Sequence, residues 1–125
     1  MKRLRLIVEA DPNVDRQQEP ERWEQQRLDY VTSLRQIVRV PLDAHGASLE
    51  ELELSLRVLR ALEGKQCGDL LVLEDADHAH LCDKVRSARW MVIDERVYRF
   101  VHAVLDAKEW PVDATVDERG KADAS

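Results

Sequence analysis

Ser48-Leu49-Glu50-Glu51-Leu52-Glu53-Leu54-Ser55-Leu56-Arg57-Val58-Leu59-Arg60-Ala61-Leu62-Glu63-Gly64 is the stretch on which the reading of the fold turns. Ser48 followed three residues later by Glu51 matches a capping box, in which the hydroxyl accepts from the third helical N–H and the carboxylate reaches back. Gly64 suits the left-handed backbone just past a helix end, so a helix is predicted from Leu49 to Glu63. On a helical wheel Leu49, Leu52, Leu56 and Leu59 fall in one stripe, and Leu54, Val58, Ala61 and Leu62 in another. Between them lie only Glu50, Glu53, Arg57 and Arg60, with Glu53 and Arg57 in the favourable i,i+4 order. A helix apolar over most of its circumference needs cover on two sides. Either it is the central helix of the domain, or one stripe meets another chain. Leu54, Val58, Ala61 and Leu62 are taken as the candidate interface.

The flanking sequence supplies the rest of the domain. Leu4, Leu6 and Val8 alternate with Arg3, Arg5 and Ile7, the pattern of a strand with one apolar face. Residues 9–19, polar and proline-bearing, read as a loop or linker. Pro20 opens a helix over 20–39, along which Trp23, Tyr30, Val31, Leu34, Ile37 and Val38 recur at helical spacing, and Pro41 forbids continuation. Leu70-Leu71-Val72-Leu73 reads as a buried strand. Asp75 is expected to cap a helix to about Ala88 that turns Leu81, Val85 and Ala88 inward with Cys82 beside them. Trp90-Met91-Val92-Ile93 reads as a buried connection or a third strand. Asp94 caps a last helix with Val97, Phe100, Val101, Val104 and Leu105 as its core face. The predicted fold is α+β and mostly helical, with about four helices and a small two- to three-stranded sheet. A single domain spans 1–108, and 109–125 reads as a disordered acidic tail. Two strands alone are marginal, so this sheet must lie on helices or be completed by another chain.

With 125 residues the chain has room for one core, and 44% hydrophobic content suffices to build it. Its net charge of −6 resolves into +1 over residues 1–40, −5 over 41–110 and −2 over 111–125. Such a balance lacks the basic face that non-specific nucleic-acid binding requires. No apolar run approaches the length of a membrane helix, and the short apolar start does not match a signal peptide. Cys67 and Cys82 make no disulfide framework and suit a reducing, cytoplasmic compartment.

Three constellations invite a chemical reading. An apolar strand ending in Glu74, Asp75 and Asp77 sits where phosphate-handling enzymes place magnesium ligands, but the chain has no Gly-rich Lys-Ser/Thr loop. Acids in a first helical turn are otherwise explained by the helix dipole. His78 and Cys82 share a helix face at i,i+4, and Cys67 and His102 would complete four zinc ligands. Without a Cys-x-x-Cys knuckle, Cys82 is more simply a small core residue. Ser33, Ser48, Ser55 and Ser87 lack the glycine flanks of a nucleophile elbow. Trp23 and Trp90 are assigned to the core, and Trp110 is the candidate exposed anchor, because aromatics are enriched at interface hot spots. No catalytic, metal or cofactor residues are assigned.

From Leu34 to about Ala107 the order of features resembles a group of small proteins encoded among the structural genes of tailed bacteriophages and prophages. The matching residues are Arg35-Gln36-Ile37 running into Pro41-Leu42, Gly46 before a capped helix with Arg57-Val58-Leu59, Leu71-Val72-Leu73-Glu74-Asp75-Ala76-Asp77 with Leu81, and Asp94-Glu95 opening a helix with Phe100-Val101. The resemblance implies a non-enzymatic protein–protein interaction factor in virion assembly, at the tail or the head–tail junction. It would act in the cytoplasm of a bacterial host or on the virion, as a homo-oligomer or with virion proteins. The alternative is a small acidic regulator that binds and inhibits one host or phage protein.

Overall fold

The computed structural model describes residues 1–91 and 93–109. In chain order its elements are β1 (Lys2–Arg5), β2 (Val8–Glu9), α1 (Pro20–Gln26), β3 (Leu28–Asp29), α2 (Tyr30–Val38), α3 (Leu49–Leu62), β4 (Leu70–Leu73), α4 (Asp75–Ser87), α5 (Glu95–Leu105) and β5 (Lys108–Glu109). The class is α+β and mostly helical, as predicted, with five helices among the described residues where about four were expected.

The alternating segment at the start is shared between two sheets. β1 is the central strand of an antiparallel sheet ordered β4-β1-β5, with Leu4 opposite Leu71 and Lys2 opposite Glu109. The chain leaves it after Leu6, whose backbone still bonds to Gly68 and Asp69, and β2 then pairs antiparallel with β3. The third strand of the larger sheet is thus Lys108–Glu109, not the Trp90 segment: Trp90 and Met91 lie in an exposed connection, and Ile93 is exposed. Val92 and Trp110 fall outside the described residues, as does nearly all of the segment read as a tail. Glu109, assigned to that tail, is instead held in the sheet. In the 9–19 segment Glu9 belongs to β2, Val14 is buried, and residues 12–13 and 15–19 are exposed.

The helix predicted over 20–39 is two helices, broken at Arg27. There the backbone turns extended (ψ 143°), and Leu28–Asp29 join Val8–Glu9 as a strand pair. Asp29 explains the break. Its carboxylate accepts from the backbone N–H of Val31 at 2.9 Å and of Thr32 at 3.5 Å, so it starts a new helix where it would have weakened a continuous one. α1 buries none of its residues. Trp23 is half-buried beneath the Arg16 guanidinium, 4.6 Å from the ring centre, and is not a core residue. Trp90 is also outside the core, its ring standing edge-on to Phe100 with centroids 5.9 Å apart.

Caps account for most helix starts. Ser48 Oγ accepts from the Glu51 N–H at 3.1 Å, and Asp94 accepts from the Arg96 N–H at 2.8 Å. Two expectations fail here. The Glu51 carboxylate does not reach back to complete a capping box but turns toward Lys84 and Leu42. The residue before α4 is Glu74, which makes no side-chain cap, while Asp75 and Asp77 occupy the first turn. At the other end of α3, Gly64 takes φ 74° as a left-handed terminator, and Arg35 donates to the Leu62 carbonyl at 3.1 Å.

α3 resolves the question its two stripes posed. Val58 and Leu62 are fully buried in the cluster that joins Leu34, Val38, Leu71, Leu81, Phe100 and Val104, Ala61 packs half-buried against it, and Leu54 is half-buried in a surface concavity beside Leu42 and Ala79. Of the candidate interface residues, Val58, Ala61 and Leu62 therefore face the monomer core, where α2 and α4 pack on the helix, and Leu54 lies outside it. The other stripe is left open over most of its length, with Leu49 71%, Leu52 50% and Leu56 39% exposed, while Leu59 at its end packs half-buried against the core.

Thermal or urea unfolding separates the two stripes. Leu62→Ala is expected to lose about 2–5 kcal/mol, the range for truncating a fully buried leucine. Leu52→Ala is expected to stay within about 0.5 kcal/mol of the parent.

Candidate functional site

Beyond the end of α2 the chain runs through Val40, Pro41 and Leu42, and beyond α4 through Ala88, Arg89, Trp90 and Met91. These two departures leave an open groove of about 570 Å³ between them, floored by Leu28, Ile37 and Val97. Its rim is apolar and unusually bare. Val40 and Leu42 are exposed, Trp90 is about one-third exposed, and Met91 is 98% exposed. Large apolar side chains grouped around a concavity are the ordinary mark of a docking surface. Arg89 also lines the groove and makes no ion pair among the described residues.

The wall carrying Val40 and Leu42 is held by one buried cation. Lys84 Nζ, from α4, donates to the Val40 carbonyl at 2.6 Å and to Glu51 Oε2 of α3 at 2.5 Å. The same carboxylate oxygen accepts from the Leu42 N–H at 2.8 Å. Lys84 is 3% exposed and Glu51 9%, so two helices and one loop converge on a pair shielded from water. The Lys84 hydrogen bond, followed by the Leu42 N–H and the charge of Lys84, holds the Glu51 carboxyl below its ordinary range, against the opposing effect of burial.

A second polar pair lies one turn away on the same two helices. Ser55 Oγ and His80 Nε2 are 2.9 Å apart, both buried. The spacing equals that of a nucleophile and its base. Here the hydroxyl sits mid-helix inside the α3–α4 contact, where its chemistry is to satisfy the imidazole. Burial, followed by the nearby Lys84 charge, lowers the His80 pKa, and Glu51, Asp83 and Asp77 oppose that shift.

The constellations singled out in the sequence come apart in space. His78 and Cys82 do meet, Sγ lying 3.4 Å from Nε2, but His78 Nε2 also lies 2.7 Å from the Val104 carbonyl. Burial pushes the Cys82 thiol up, away from the thiolate that metal binding needs. Cys67 is exposed, and His102 pairs with Asp106 at 3.3 Å. Among the described residues no three His, Cys, Asp or Glu side chains form a group that would hold a metal ion. Asp75 is exposed, whereas Asp77 is straddled by Arg57, with Nη2 donating to Oδ2 at 3.2 Å and Nε 3.1 Å from Oδ1. Arg57 thus turns to α4 and not to Glu53. Among the described residues no helix is long and apolar enough to cross a membrane.

Sequence reasoning missed the groove and the lysine behind it, although both left signals. Val40 and Leu42 are apolar residues flanking a helix-stopping proline, where a solvated loop would be polar. Lys84 falls among Leu81, Val85 and Ala88 on the inward face of its helix, a position a lysine occupies only when paired. The chain matches no protein-family model, no curated protein and no solved structure.

Replacing Lys84 alone by Met is expected to cost about 3–5 kcal/mol, because it leaves a buried carboxylate without its cation. The double variant Lys84→Met with Glu51→Met should recover a substantial part of that loss in urea unfolding. The pH dependence has two limbs. The His80 pKa is lowered in the folded chain, so the unfolded chain takes up protons first as pH falls past the ordinary histidine value of 6.5, and stability falls with it. Glu51, with its lowered pKa, contributes stability that is lost only as pH falls below the ordinary carboxyl value of 4.5. Melting temperatures followed down from pH 8 should show the first limb in the parent chain and lose it in His80→Gln.

Proposed function

We propose that the protein works by protein–protein contact, with the groove between the Val40–Leu42 and Ala88–Met91 segments as the seat of an apolar segment from a partner. The observation that carries this reading is the group of exposed side chains, Val40, Leu42, Trp90 and Met91, around a preformed concavity. Arg89 on the groove of an otherwise acidic chain favours a segment whose apolar anchors are flanked by Asp or Glu. An amphipathic helix fits that description, since apolar anchors one turn apart on one of its faces enter a groove together. The setting proposed for this contact is virion assembly in a bacterial host. That part rests on the sequence resemblance alone.

The experiment is site-directed photocrosslinking in cells carrying a tailed phage, with the probe at Met91 and a control probe at Glu21 on exposed α1. A product formed from Met91 only, lost in Val40→Glu and identified by mass spectrometry as a virion component, is the expected outcome. Equal products from both probes would remove the groove from the interaction, and a specific product from outside the virion would remove the assembly role. In the chain without a probe, Met91→Glu should change stability by less than about 0.5 kcal/mol, as expected for a fully exposed position.

A further inference from the structure

The exposed face of α3 lies on a different part of the surface from the residues of the groove, and its pattern identifies what covers it. Leu49, Leu52 and Leu56 are exposed and Leu59 is half-buried with one side on its own core, and together they recur at alternating steps of three and four, the spacing of a helix-pairing seam. Along one side of this seam run Glu50, Glu53, Arg57 and Arg60, all exposed. Among the described residues Glu50, Glu53 and Arg60 make no ion pair, and Arg57 is turned to Asp77. The strip is acidic in its first half and basic in its second. On the seam's other side lies Ser55, buried against α4.

We infer that this face binds a second copy of the chain, helix α3 against helix α3, in an antiparallel two-fold pair. A parallel pair would set the charged strip of one copy against the side of α3 that is already packed on its own domain. The antiparallel pair sets strip against strip. With the two-fold axis near Leu54, Leu52 meets Leu56 of the second copy and Leu49 meets its Leu59. In that register Glu50 and Glu53 face Arg60 and Arg57 of the second copy, so acid meets base twice on each side of the axis. A single 14-residue helix buries less than most stable interfaces do, which sets the dissociation constant on the order of 10 µM.

Sedimentation equilibrium of the full chain, from about 1 to about 300 µM to bracket that constant, tests the pair. The parent should be a monomer at the low end and a dimer at the high end. Leu52→Glu and, independently, Leu49→Glu should remain monomeric throughout with unchanged helical circular dichroism, since both side chains are exposed in the single chain. Glu50→Arg and Arg60→Glu should each weaken the dimer by about ten-fold, each acting at two symmetric places. The double reversal Glu50→Arg with Arg60→Glu should restore it, because these two positions face each other and acid again meets base across the axis. A parent chain monomeric at every concentration overturns the inference, as does a dimer indifferent to both leucine substitutions. A dimer that the leucine variants dissolve but the double reversal does not restore overturns the antiparallel register.

Discussion

The Lys84–Glu51 pair is the interaction on which the molecule's usable surface depends. A lysine and a glutamate taken out of water contribute little net stability, since desolvating both offsets most of their attraction. What they provide here is placement. The lysine donates to the carbonyl of Val40, the glutamate accepts from the N–H of Leu42, and the loop between α2 and α3 is thereby held against α4 by its backbone. A loop held by its backbone leaves its side chains free. Val40 and Leu42 can remain bare at the groove because neither is needed to hold the loop in place.

The two longest central helices divide their labour by face. α3 turns Val58 and Leu62 inward and Leu49, Leu52 and Leu56 outward, and α4 turns Leu81 and Val85 inward alongside Lys84. Polar contacts stitch their shared boundary at three levels: Glu51 to Lys84, Ser55 to His80, and Arg57 to Asp77. Hydrophobic contact alone would let two such helices slide by a turn, since leucines are interchangeable over one repeat. Three different polar pairs in sequence fit only one register.

Most helix ends were legible in the sequence because local chemistry determines them. Ser48, Asp94 and Gly64 act through backbone groups within a few residues, and Pro41 stops a helix whatever surrounds it. What depended on distant segments was not legible. The break at Asp29 needs β2 as a pairing partner, and β5 needs β1, twenty and a hundred residues away in the chain respectively. The two stripes of α3 looked alike because periodicity reports that a face is apolar, not which neighbour will cover it. For the candidate site, no local pattern connects Val40 with Met91, which only the packing of α2 and α4 brings to one groove. The His78–Cys82 pair was correctly placed in proximity by helix geometry, but Cys67 and His102 depend on other elements.

The position of β1 has a consequence for synthesis. Residues 2–5 emerge from the ribosome before residues 70–73 and 108–109, yet they occupy the middle of the sheet and pair with both. Until the β4 segment emerges, the strand has both edges unpaired, and the sheet closes only when nearly all the described chain is available. Long-range closure of this kind slows folding and leaves an adhesive edge exposed while it waits. Lys2, Arg3 and Arg5 place positive charge along that edge in the nascent chain, a deterrent to pairing with a neighbouring copy before the proper strands arrive.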